Sequence, residues 1–167
     1  LKEYISYTLY GITNLATVAS VSVDDAAIMS VNNANNQDPF YPSTSTAEQV
    51  SNCLGYCQAA GIYHYHIESG CAFYENSSKS VSGCSGSCST NIAVYSIGMY
   101  SNYKTLIVIG IAKDGQVIYS PYNSAGTQVT SGFDACSGIF YDSVGNYGYF
   151  ATQIFPYLWC CVFICQI

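Results

Sequence analysis

The sequence predicts an all-β fold, mainly antiparallel: a single disulfide-stapled, β-sandwich-like domain with a central meander and few or no helices. Three observations point there. The run TVASVSV alternates apolar with small polar residues, the period of a half-buried strand. Residues 92–120 are β-branched and aromatic segments separated by turn residues. Nine cysteines in 167 residues are the density of a chain stapled in an oxidising compartment.

In TVASVSV, Ala19, Val21 and Val23 form the apolar face, and Asp24-Asp25 mark a turn. The polar, proline-bearing stretch NNANNQDPFYPSTSTAEQ, residues 32–49, reads as a long loop or a joint. It divides residues 1–49, N-terminal strands that could serve as an assembly segment, from a β domain over 50–167. STAEQVSNCLGY is the one segment with a helix-like start, capped by Ser45 or Thr46. The meander then runs IAVYSIGMY, a turn at SNYK, TLIVIGIA, a turn at KDGQ, and VIYSPY. Asp114-Gly115 supplies a tight hairpin, and TLIVIGIA, apolar on both faces, is expected to be buried on both. The tail IFPYLWCCVFICQI, 14 residues with Pro156, is too short and interrupted to span a bilayer, so no transmembrane segment is expected and the tail reads as core strands.

Only 8% of the residues are charged, against about 25% in ordinary domains. Ser, Thr, Asn, Gln and Tyr must therefore supply the wetted surface, as in a subunit buried in an assembly or coated with glycan. The basic residues are Lys2, Lys79, Lys104 and Lys113, with no arginine and a net charge of −6, which excludes nucleic acid as a partner. The sequence opens without an initiator Met or a leader, as expected of a mature chain. The sequon Asn76-Ser77-Ser78 is a candidate glycosylation site.

One pattern occurs twice. Cys53-Leu54-Gly55, Tyr63-His64-Tyr65-His66 and Cys71 are answered by Cys136-Ser137-Gly138, Tyr147-Gly148-Tyr149-Phe150 and Cys160-Cys161. On a strand each module keeps its tyrosines (Tyr63 and Tyr65; Tyr147 and Tyr149) on one face and varies the other from His/His to Gly/Phe. The tyrosines are thus the shared structural part. The repeat suggests disulfides Cys53–Cys71 and Cys136–Cys161, each closing its own module, worth roughly 3 kcal/mol apiece.

The segments CLGYCQAAGIYHYHIESGC, IGIAKDGQVIYSPYNSAG and DACSGIFYDSVGNYGYFATQIFPYLWCC resemble, in order, the signature segments of the YHYH-domain family of secreted microbial proteins. The resemblance covers Cys53 to Cys71, Ile109 to Tyr122 and Asp134 to Cys161, and touches residues 1–49 only at GITN. The chain departs from the family pattern at Tyr147-Gly148-Tyr149-Phe150, which lacks both histidines of a second YHYH, at Ser120 in place of Gly, and at the added Cys160. The resemblance implies secretion and brings no catalytic residue with it.

His64 and His66, about 6.6 Å apart along a strand face, are candidate metal ligands for Cu or Zn if Glu68 or a facing Asp joins them. The alternative is a polar pair on a wetted face, or one satisfied by nearby carbonyls. No metal or other cofactor is required for the fold. No GxSxG elbow or EF-hand spacing is present, so no catalytic residue is assigned and no enzyme is expected. Two functions remain. The first is an extracellular or cell-surface structural protein, a self-assembling subunit of a filament or surface layer, glycosylated and partnered by copies of itself, with the run to Val31 able to lend a strand to a neighbour. The second is a secreted metal-binding or ligand-binding module on the His64/His66 face.

Overall fold

The computed structural model describes residues 18–73 and 91–158. Its strands are β1 (Val18–Ser22), β2 (Ala27–Met29), β3 (Gly55–Cys57), β4 (Tyr63–Tyr65), β5 (Val108–Ala112), β6 (Val117–Tyr119), β7 (Gly138–Phe140) and β8 (Tyr147–Phe150), with one α-helix among the described residues, α1 (Ile92–Gly98), and a 3-10 turn at Cys71–Phe73. The fold is mainly β, as expected. All eight strands belong to one mixed sheet, ordered β3-β4-β2-β1-β5-β6-β8-β7. Five of its seven pairings are antiparallel, while β2·β4 and β6·β8 are parallel.

The order reads as one four-stranded unit used twice. In each half an antiparallel hairpin (β1–β2 or β5–β6) lies parallel to the inner strand of a second hairpin (β4 or β8), whose other strand (β3 or β7) forms the sheet edge. The registers match: Ile28 faces Tyr65 and Ile118 faces Tyr149; Gly55 faces Tyr65 and Gly138 faces Tyr149. The halves join where β1 pairs antiparallel with β5, with Val21 opposite Ile111. These two residues are each other's equivalents, so a local two-fold axis passes between them.

The equivalence reaches beyond the strands. Asp25 and Gly115 both turn their hairpins at positive φ, 64° and 86°. Asn33 Oδ1 accepts the N–H groups of Asn35 and Gln37, and Asn123 Oδ1 those of Ala125 and Thr127, so both stretches after the hairpins are organised by one asparagine. The described strands of the N-terminal segment are thus interior to the sheet: β1 lies between β2 and β5, and β2 between β1 and β4.

Several local expectations are corrected. IAVYSIGMY is helical over Ile92–Gly98, which reduces the three-stranded meander to the β5–β6 hairpin. Asn91 Oδ1 caps the helix by accepting the Val94 N–H at 3.1 Å, and Ile92, Ala93, Ser96 and Ile97 make one buried face. STAEQVSNCLGY holds no helix. In β1, a bulge between Val18 and Ser20 shifts the alternation, burying Ala19, Ser20 and Ser22 and exposing Val18 and Val21, with Val23 exposed just beyond. β5 carries the same bulge between Val108 and Gly110, so Val108 and Ile111 are exposed although the strand is central. Residues 154–158 form a turn rather than a strand, with Ile154 and Phe155 exposed and Tyr157 and Leu158 buried.

The core gathers Ile28, Tyr65, Ile118 and Tyr149 from the sheet, and Leu54 and Ile67 from just outside β3 and β4, with Ile97, Tyr100, Tyr157 and Leu158. The helix and the turn after it hold the chain beyond β4: Ser96 Oγ donates to Glu68 O at 2.9 Å, and the Tyr100 hydroxyl donates to Ser69 O at 2.9 Å. Cys53 and Cys71 are disulfide-bonded across 18 residues. Cys136 is also disulfide-bonded, but its expected partner Cys161 and the sequon at Asn76 lie outside the described residues. Cys57, on β3, is a free thiol. Among the described residues no helix is long and apolar enough to cross a membrane.

Candidate functional site

The Tyr-x-Tyr motif and the glycine of Cys-x-Gly are two halves of one packing device. Tyr63 on β4 lies diagonally across Gly55 on β3, so close that a Cβ there would stand 2.4 Å from Cζ of its ring. Tyr147 covers Gly138 in the same way, at 1.8 Å from its hydroxyl oxygen. Only glycine leaves room for the ring. Each of these hydroxyls reaches the turn before the glycine: Tyr63 to Ser51 Oγ at 2.9 Å, Tyr147 to Asp134 Oδ2 at 2.8 Å.

The second tyrosine of each motif enters the core and ties the module to its hairpin. Tyr65 donates to Asp24 Oδ2 at 2.8 Å and Tyr149 to Asp114 Oδ2 at 2.6 Å. Burial, together with that hydrogen bond, pushes both phenols well above their usual range. The paired rings meet edge to face, at 5.5 Å for Tyr63/Tyr65 and 5.8 Å for Tyr147/Tyr149. Asp24, Asp114, Ser51 and Asp134 are partners that reasoning from the sequence missed. A signal existed: Asp24, Ile28, Ser30 and Asn33 recur at constant spacing as Asp114, Ile118, Ser120 and Asn123.

The histidines are not on a wetted face. His64 is 3% exposed and His66 5%; the Tyr56 ring of β3 stacks on His66 and meets His64 at a tilt. Both are satisfied by carbonyls: His64 Nδ1 bonds Ile62 O at 3.2 Å, and His66 Nδ1 bonds Ser30 O. A carbonyl only accepts, so each Nδ1 carries the proton. His66 Nε2, 3.1 Å from the Tyr56 hydroxyl, then accepts from it, and both nitrogens of His66 are committed. Burial pulls His66 down to about 4, against the opposing bond to Ser30 and aided by neighbouring His64. The ring is therefore neutral at neutral pH.

Glu68 does not complete a metal site. Among the described residues no three His, Cys, Asp or Glu side chains come together as a ligand set. Glu68 is instead 2% exposed, and among the described residues neither of its carboxyl oxygens has a hydrogen-bond partner. Burial pushes it up to about 8, with the Ser96 hydroxyl and the Glu68 backbone opposing, so at neutral pH it is mainly a protonated acid.

In the second half Gly148 and Phe150 replace the histidines, and the Tyr119 ring lies over Gly148, 2.8 Å from where a Cβ would stand. Tyr119, Tyr141 and Phe150 form an aromatic cluster there, closed by a 3.0 Å bond between the two hydroxyls. The Tyr56/His64/His66 group thus occupies a place that aromatic rings fill equally well.

The sequence matches the family described as YHYH protein over residues 2–142. That match takes in β1 and β2 and ends before Tyr147-Gly148-Tyr149-Phe150, the tetrapeptide without histidine. No curated protein and no solved structure matches the chain. With most of its length matched, including both hairpins and the YHYH strand itself, the chain belongs to the YHYH protein family.

Proposed function

We propose that the protein is an extracellular structural subunit that assembles with copies of itself into a filament or surface layer. The observation that carries this reading is the pair of sheet ends. Among the described residues nothing pairs outside β3 or β7. Tracing direction through the sheet makes these two edge strands antiparallel to one another, so a copy displaced sideways would set its β3 antiparallel against β7 of the first. Such a head-to-tail contact does not close on itself, the geometry of an open polymer.

Backbone alternation supports the same reading. Gln58 N–H bonds Ile62 O and Tyr141 N–H bonds Asn146 O, which turns the N–H and C=O groups of Cys57 and Phe140 outward. Phe140 is 69% exposed, and Val21 and Ile111 add apolar surface near the centre of the sheet. The sparse charge of the chain and its disulfides agree with an extracellular assembly; a glycan at Asn76 belongs to the same proposal. The other reading, Cu or Zn at His64/His66, requires His66 to release Tyr56.

Negative-stain imaging and light scattering of the purified chain are expected to reveal polymers, and Phe140→Lys, which puts a charge on the edge, to shorten or abolish them. A parent chain that stays monomeric at all concentrations overturns the proposal. A metal-dependent rise in melting temperature of such a monomer would favour the metal site instead.

A further inference from the structure

A cavity of about 250 Å³ lies in the second half, between the stretch after β6, the turn before β7 and the turn after β8. Phe133 and Phe155 give it two aromatic surfaces, and Gln128, Gln153, Thr130 and Ser137 give it amides and hydroxyls. Among the described residues no charged side chain lines it. Asp134, adjacent in sequence to Phe133, is committed elsewhere: its Oδ1 accepts the N–H groups of Cys136 and Gly138, and its Oδ2 the Tyr147 hydroxyl. A fifth polar lining residue, Thr152, spends its hydroxyl on Ile154 O at 2.8 Å, whereas Gln128, Gln153, Thr130 and Ser137 have no side-chain hydrogen bond to a described residue.

The first half shows what the same place looks like when it is closed. Ser137 is the equivalent of Leu54, both at positive φ (65° and 66°), and Leu54 is fully buried. Thr152 is the equivalent of Glu68, whose carbonyl accepts from Ser96 of α1 while Tyr100, just past the helix, bonds the next carbonyl at Ser69. In the second half the plug is a serine, and residues 152–154 beside it are partly or fully exposed. The wall is nevertheless firm. Thr152 N–H bonds Tyr157 O at 2.7 Å, Tyr157 N–H bonds Ile154 O at 2.8 Å, and the Tyr157 hydroxyl is anchored on Asp38 at 2.7 Å. Tyr157 itself sits at φ 67°, a costly conformation for a tyrosine that its surroundings hold.

We propose that this cavity binds a neutral saccharide unit. Aromatic faces suit the C–H faces of a sugar ring, and groups that both donate and accept suit its hydroxyls, each of which does both. With no charge to pair, an ionic ligand has nothing to hold it. The site does not depend on whether the chain polymerises.

Saturation-transfer NMR with cellobiose, mannobiose and N,N′-diacetylchitobiose, followed by amide shift mapping on the full chain, tests this. At least one of the three is expected to bind, with shifts centred on Phe133, Ser137 and Gln153. Ser137→Leu installs the first half's plug and is expected to weaken binding about tenfold or more. Gln153→Ala, at an exposed position, is expected to weaken it without affecting the fold. Binding of none of the probes, shifts that map elsewhere, indifference to both substitutions, or a preference for a charged sugar or an apolar peptide overturns the proposal.

Discussion

The stability contributed by Glu68 and His66 is expected to be level between pH 4.5 and 6.5 and to fall by about 2 kcal/mol from pH 6.5 to 8. Glu68 is raised from 4.5 to about 8 in the folded protein, so across that window the native state holds a proton that the unfolded state has lost. Stability therefore falls as pH rises, by about 1.4 kcal/mol per unit. His66 is lowered from 6.5 to about 4. Between those values the unfolded state holds the extra proton, and stability rises with pH at the same rate. The two slopes cancel where the windows overlap. Above pH 6.5 only Glu68 remains.

Glu68→Gln should remove the alkaline fall and turn the level stretch into a rising limb. Urea unfolding at fixed ionic strength across this range measures both curves. A parent protein equally stable at pH 6.5 and pH 8 would show that the Glu68 carboxyl is not buried as described.

Gly138→Ala is expected to cost about 3 kcal/mol, among the largest effects of any single methyl group in this chain. The added Cβ would fall 1.8 Å from the Tyr147 hydroxyl oxygen, so the ring must leave its place and give up the bond to Asp134. Gly55→Ala, with 2.4 Å to the ring of Tyr63, should follow it with a smaller loss, because the bond surrendered there goes to the neutral Ser51 hydroxyl. Gly98→Ala, at the end of α1 with nothing within 4 Å of the new carbon, should be neutral or slightly stabilising. If clash with the ring is the cause, Tyr147→Ala combined with Gly138→Ala should cost less than the two separately. Thermal or urea unfolding of these five variants tests this, and equal losses at Gly138 and Gly98 would refute the packing account.

The mainly β class, the hairpin at Asp114-Gly115 and the pairing of Tyr63 with Tyr65 were legible because each rests on local signals, a period of two or a turn residue. The repeat was legible too, but only in part. Its Cys-x-Gly and Tyr-x-Tyr elements stand out, whereas Asp24/Asp114 and Asn33/Asn123 are single polar residues in loops and become conspicuous once their hydrogen bonds are known. The faces of β1 and β5 were misjudged, because a bulge inverts the alternation at Val18/Ser20 and Val108/Gly110 and leaves no mark in an apolar run. IAVYSIGMY reads as a strand on its β-branched content, yet the apolar Ile92, Ala93 and Ile97, one turn apart with the small Ser96 between them, and the cap at Asn91 are helical signals that outweigh propensity. The burial of the histidines was not legible at all, since it depends on Tyr56 and on the carbonyl of Ser30, 36 residues away.

The two-fold relation between Val21 and Ile111 has a consequence for how this sequence can change. In a dimer of identical chains, any substitution near such an axis appears twice, and both copies must tolerate it. Here one covalent chain supplies both halves, so each copy of a position is free to drift alone. His64 and His66 can then persist opposite Tyr56 while their counterparts become Gly148 and Phe150, and Leu54 can stay a core plug while Ser137 opens a cavity. One covalent chain thus carries two units that share a framework and need not share a task.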